Sequence, residues 1–122
     1  MGSRILVGNS FPLSLIRRRV VITPCGLEEL RRLLAEREIV SFWGHRNTLG
    51  AVRQRLGYDL TPHVDRPALT LSAAGLPVYE GEVFGECWVL SPDYRDGFRP
   101  AIGVEVAPEE ILDWQCLHLT FC

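Results

Sequence analysis

The sequence predicts an α/β fold, a single domain spanning residues 1–122 in which a mixed β-sheet carries two main helices packed against it. Three observations lead there. A chain of 122 residues that is 47% hydrophobic suits one compact core. Short apolar runs at Ile5-Leu6-Val7, Val20 to Thr23 and Ile39 to Trp43 are each bounded by Gly, Asn or Pro, as strands are. Between and after them lie two segments of helical periodicity, and such interleaving favours helices laid on a sheet.

The first strand, Ile5 to Val7, is closed by Gly8 and Asn9, and Ser10 to Ile16 reads as an irregular loop. Arg17-Arg18-Arg19 precedes the second strand, which Pro24 is expected to end. A helix follows from about Leu27 to Arg37. Leu27, Leu30, Leu33 and Leu34 keep the i, i+3, i+4 rule, and Glu28 with Glu29 suit its amino end. After the strand Ile39 to Trp43, Gly44 allows a tight exit. A second helix is expected from Asn47 or Thr48, both capable caps, with Leu49, Val52 and Leu56 facing the core and Gly57 ending it. Pro62 and Pro67 bracket a loop, and Ala68 to Leu71 is expected to resume the sheet. Val78 to Leu90 holds two strand pieces around Gly81 and Gly85, the better being Cys87 to Leu90. Ser91 to Pro100 reads as an exposed loop, Pro108 to Leu112 as one helical turn, and Trp114 to Phe121 as a final strand.

Thirteen basic against fifteen acidic residues give a formal net charge of −2, so there is no global cationic field to hold a long nucleic acid. A small anion held by local arginines stays open, since all the basic residues other than histidine are arginine. Cys25, Cys87, Cys116 and Cys122 lack Cys-x-x-Cys spacing and read as reduced, mostly buried side chains. The amino terminus does not read as a signal peptide, and no apolar run approaches the ~18 residues of a bilayer span. The expectation is a cytoplasmic protein, in the host cell cytoplasm if the chain is viral, with no membrane partner.

Chemistry is expected at the turn Gly44-His45-Arg46-Asn47-Thr48. A glycine at a strand end lets the backbone turn sharply, and the following residues sit where free helix N–H groups attract anions. A histidine there can protonate a leaving alkoxide near neutral pH, its unperturbed pKa being ~6.5; the competing role is a structural hydrogen bond to a backbone carbonyl. Asn9 and Ser10 follow the first strand and can come out on the same edge, with donors suited to ribose or phosphate oxygens or to an ordinary turn. Arg66, Arg95 and Arg99 lie in loops and can steady a phosphate. Glu80, Glu82 and Glu86 alternate on an exposed strand face, while His63 and His118 have no partner legible in the sequence. No His spacing supports a metal site, and no cofactor is called for.

In order, a first strand runs into Asn9-Ser10, then come the leucine-rich helix, a strand into Gly-His-x-x-Thr (Gly44, His45, Thr48), a helix ending Leu56-Gly57, and an arginine-bearing loop (Arg66) before a strand. In this arrangement residues 5–71 resemble the viral type III anti-CRISPR ring nuclease family, whose members also occur in bacterial type III CRISPR systems. The resemblance implies a homodimer that binds cyclic tetra-adenylate, the second messenger of type III CRISPR effectors, at its interface and cleaves it without a metal. A ribose 2′-OH attacks the neighbouring phosphorus and the histidine protonates the departing 5′-oxygen, leaving 2′,3′-cyclic phosphate ends. By position, His45 is the general acid, Asn9 and Ser10 place the backbone, Gly44 and Thr48 of the motif join them as substrate-binding residues, and Arg66 contacts the ligand. The sequence has Asp65 where the family usually has Asn, and beyond Leu76 the family's Arg and Glu pattern is not in register; Arg95, Arg99 or Glu105 are the available substitutes. Two other classes compete with a ring nuclease: a module that binds or sequesters a cyclic oligonucleotide intact, and a protein-interaction domain in which Trp43, Trp88 and Trp114 fill a core or a dimer face.

Overall fold

The computed structural model describes residues 4–44, 46–62, 65, 67–101 and 103–122. Its main sheet is built around β1 (Ile5–Gly8), all four residues of which are buried. Strand β3 (Ile39–Ser41) lies parallel to one side of β1, pairing Leu6 with Val40. Strand β7 (Glu86–Tyr94) lies parallel to the other side, pairing Val7 with Trp88. Beyond β7 come β8 (Ile111–Phe121) and then the edge strand β2 (Val20–Cys25), both antiparallel to their neighbours. The strand order is β2-β8-β7-β1-β3. A strand flanked on both edges and covered on both faces has no polar side to spare, which is why β1 is a continuous Ile-Leu-Val run.

Two-residue periodicity divides the core. Ile5, Val7, Trp88 and Leu90 face one way and pack with Leu30 and Leu34 of α1 (Leu27–Glu36) and Val52 and Leu56 of α2 (Leu49–Leu56). Leu6, Val40, Cys87 and Val89 face the other way, against Tyr79 and Phe84. That second face is covered by a small separate sheet of β4 (Thr70–Leu71), β5 (Pro77–Tyr79) and β6 (Glu82–Val83). The expected class, α/β with a mixed sheet and two helices, is the observed one. Helix α1 ends at Glu36, one residue earlier than expected. Helix α2 ends as expected at Gly57, whose φ of 68° is left-handed and whose N–H donates to the Arg53 carbonyl at 2.7 Å.

Several boundaries differ from the sequence reading, for identifiable reasons. Pro24 does not end β2. The Cys122 N–H donates to the Arg19 carbonyl, so hydrogen-bonded pairs alternate from there and the Pro24–Leu117 pair falls on a position that needs no donor. Ser91 to Tyr94, read as loop, belong to β7. Pro92 is accommodated for the same reason, because Phe121 N–H donates to Gly85 and the alternation places Pro92–Trp114 out of the bonded set. Strand β8 begins at Ile111, taking in part of the expected helical turn, of which Pro108–Glu110 remains as one 3-10 turn. Residues 68–69 are not strand, and Thr70–Leu71 join the small sheet rather than the main one. Phe42 and Trp43 lie beyond the β3 ladder, although Phe42 N–H still donates to the Val7 carbonyl at 2.9 Å. Another 3-10 turn, Leu13–Leu15, interrupts the expected loop.

Candidate functional site

The parallel trio β3-β1-β7 directs its carboxyl ends to one edge of the sheet, the edge at which open α/β sheets place ligands. Asn9 follows β1 and Gly44 follows β3, and the structure joins them: the Gly44 N–H donates to Asn9 Oδ1 at 2.6 Å. This bond fixes the backbone one residue before His45. His45 itself, Arg66 and His63 lie outside the described residues; Asp65, which is described, is exposed.

After the turn, Arg46–Thr48 forms a 3-10 turn leading directly into α2. Thr48 does not cap the helix with its side chain. It is 2% exposed and its hydroxyl accepts from Trp43 Nε1 at 3.1 Å, satisfying an indole that would otherwise bury a bare donor. Trp43, 1% exposed, in turn packs at 6.3 Å from the Trp114 ring, which anchors the turn to the core.

A cleft of about 870 Å³ opens beside this turn, lined by Gly44, Arg46, Asn47, Gly50, Arg53 and Glu105, with Pro100 and Ala101 on the far wall. Arg46, Gly50 and Arg53 follow the i, i+4, i+7 pattern of one helical stripe. The glycine between the two arginines leaves room that the Glu105 carboxylate fills, so a side chain at residue 50 has to displace it. The loop bearing Glu105 is pinned to the turn by the Val106 N–H, which donates to the Asn47 carbonyl at 2.7 Å, with Val106 buried. Arg53 also pairs with Asp59 at 3.3 Å. A smaller cavity of about 330 Å³ adjoins the cleft, with Asn47 and Pro100 common to both; Asn9, Ser10 and Thr48 lie in its wall.

The protein thus brings Asn9, Ser10, Gly44 and Thr48 to one edge, with neither of the two described loop arginines lining the cleft. Arg95 is engaged by Glu110 and lies 5.9 Å over the Phe98 ring, Arg99 is exposed, and neither lines the cleft. The cationic side chains that do line it are Arg46, in the 3-10 turn, and Arg53, on α2; the sequence reading followed only the apolar positions of that helix and singled out neither.

No family model and no curated protein matches the chain. Among solved structures it is similar to B116 of Sulfolobus turreted icosahedral virus, with a TM-score of 0.64 and 15% identity, over 97% of this chain and 99% of that one. The fold is therefore one that a viral protein also adopts.

A second polar cluster occupies the opposite end of β7. The Glu86 carboxylate takes hydrogen bonds from Arg37 and from His118 Nε2, the latter at 2.8 Å, and the His118 ring stacks on Trp88 at 4.3 Å. Glu86 was expected on a solvated face and His118 had no partner legible in the sequence; the antiparallel register of β7 and β8 brings them together. Burial raises the Glu86 pKa, but the hydrogen bonds from His118 and Arg37 and the charge of Arg37 more than offset it, leaving a net lowering. Burial pushes the Cys87 thiol well up and the Cys116 thiol to about 12, so both stay protonated and weakly nucleophilic at neutral pH. Cys122, by contrast with the expected burial, is exposed. Among the described residues no three His, Cys, Asp or Glu side chains gather as metal ligands, and no helix is long and apolar enough to cross a membrane.

Proposed function

We propose that this protein is a ring nuclease that binds a cyclic oligoadenylate, cyclic tetra-adenylate first among them, and opens it without a metal, switching off type III CRISPR signalling. The observation that carries the reading is the cleft at the carboxyl ends of β1 and β3, bordered by the Gly44-to-Thr48 turn and faced by Arg46 and Arg53. Guanidinium groups attract a phosphodiester, and the Asn9–Gly44 hydrogen bond holds the strand exit that leads into His45. In the proposed reaction the ribose 2′-hydroxyl loses its proton to solvent water as its oxygen bonds to the adjacent phosphorus, the bond from phosphorus to the 5′-oxygen breaks, and His45 gives its proton to that oxygen. The products carry a 2′,3′-cyclic phosphate and a 5′-hydroxyl. Alignment and charge stabilisation supply most of such a phosphoryl transfer, which suits a site of arginines and one proton donor. The ring is taken to lie between two copies of the chain.

The test is incubation of purified protein with cyclic tetra-adenylate in EDTA, followed by separation of the products. Linear di-adenylate with 2′,3′-cyclic phosphate ends is expected. His45→Ala is expected to lower the rate by about 10²–10⁴-fold while keeping affinity. Tight binding with the ring recovered intact moves the assignment to a sequestering module. Absence of both binding and cleavage for every cyclic oligoadenylate refutes the proposal.

A further inference from the structure

The 330 Å³ cavity beside the cleft differs from it in chemistry. The cleft is lined by charged side chains, whereas this cavity is lined by Pro92, Tyr94 and Pro100 together with the small polar residues Asn9, Ser10, Asn47, Thr48 and Ser91. Its size lies at the lower end of the ~300–1,000 Å³ range of small-ligand pockets, and apolar planes with a few placed polar groups are how such pockets hold heteroaromatic rings. Tyr94 is fixed for this. Its residue ends β7, its ring packs on Phe98 with centroids 5.2 Å apart, and Arg95 covers the Phe98 ring. Asn47 sits where the two cavities meet, half-buried, with its backbone carbonyl already engaged by Val106. A carboxamide offers one donor and one acceptor side by side, the complement of an adenine edge.

We infer that this cavity is a base slot, in which one adenine of the ligand packs on Tyr94 while the Asn47 carboxamide reads its edge and the adjoining phosphate lies in the arginine-lined cleft. The slot rests on the nucleotide-binding reading above and deepens it, making Tyr94 a determinant of base affinity and Asn47 of base identity rather than of the reaction itself. Stacking of a base on an aromatic side chain is worth ~1–3 kcal/mol, or about 5- to 150-fold in affinity.

Titration of the full chain with cyclic tetra-adenylate, cyclic tetra-inosinate and adenosine 5′-monophosphate separates the possibilities. Tyr94→Phe is expected to bind cyclic tetra-adenylate within about twofold of wild type, and both Tyr94→Ala and Tyr94→Leu to lose roughly tenfold or more. The leucine variant keeps an apolar side chain at the end of β7 while removing the plane, which guards against loss by unfolding. Asn47→Ala is expected to reduce the preference for the adenine ring over the hypoxanthine ring, which lacks the exocyclic amine. If Tyr94→Leu is folded and binds cyclic tetra-adenylate as wild type does, the slot is overturned while the function stands. If wild type binds the monophosphate through Tyr94 but no cyclic ring, the slot stands and the function falls. Binding of neither ligand overturns both.

Discussion

Replacing Glu86 by Gln tests the cluster at the start of β7 as a source of stability. The substitution keeps the side-chain shape and one acceptor oxygen but removes the charge that Arg37 and His118 share. The Arg37, Glu86 and His118 side chains are 22%, 25% and 25% exposed, so the interaction lies between the weak surface pair and the fully buried one. A hydrogen bond to a charged group contributes ~1.5–3 kcal/mol. With one acceptor retained, a loss of about 2 kcal/mol at pH 7 is expected. At ~2.1 cal/mol/K per residue, 122 residues give an unfolding entropy near 0.26 kcal/mol/K, so the melting temperature falls by about 8 °C. The sign of the pH dependence follows from the lowered carboxyl pKa: the contribution is complete above the ordinary glutamate value of 4.5 and is lost as the pH falls through the lower value of the folded state. Urea titrations of both proteins between pH 7 and pH 3 measure this. The gap between them is widest near neutrality and closes in acid. A Glu86→Gln protein as stable as wild type at pH 7, or a gap that does not narrow on acidification, refutes the account.

Substitutions at two other positions act at the site edge. A methyl group on Gly8 meets the Phe42 ring at 2.5 Å, so Gly8→Ala is expected to destabilise by about 1–3 kcal/mol through overpacking, read as a lower urea midpoint with an unchanged slope. Asn9→Ala removes the acceptor for Gly44 N–H; we expect cleavage of cyclic tetra-adenylate to slow with little change in affinity, and Asn9→Asp, which keeps an acceptor, to retain more of the rate than Asn9→Ala. Equal rates for the two Asn9 variants would count against the positioning role.

The apolar elements were legible because burial on both faces leaves a signature in composition. Ile5-Leu6-Val7 and the leucines of α1 could hardly be anything but core. The prolines misled, since a proline stops a strand only where a donor is required, and that depends on a register no single strand records. Pro24 and Pro92 both fall between bonded pairs. The same dependence on register hid the Glu86–His118 pair, whose members are 32 residues apart in sequence. At the candidate site, Asn9 and Gly44 were legible as strand exits, and the fold joins them. Arg46 and Arg53 were not, because charges at the start of a helix and on its outer face read as solvated until the opposing loop is known to lie across them, whereas Glu105 was named only as a substitute for an unmatched family residue. Arg95 has a carboxylate partner, Glu110, that a sequence does not reveal.

Strand β7 begins at Glu86 and ends at Tyr94, eight steps of ~3.3 Å that set the two residues roughly 26 Å apart along one extended backbone. Groups that far apart with no partner in common perturb the protein independently, so stability and, on the proposed base slot, ligand binding are adjustable from opposite ends of a single strand. A thermally hardened variant made at the Arg37–Glu86–His118 end should keep the ligand selectivity of its parent, and the stability changes of variants made at the two ends should add. The strand works as a spacer as well as a structural member, and its length is what makes the two properties separately adjustable.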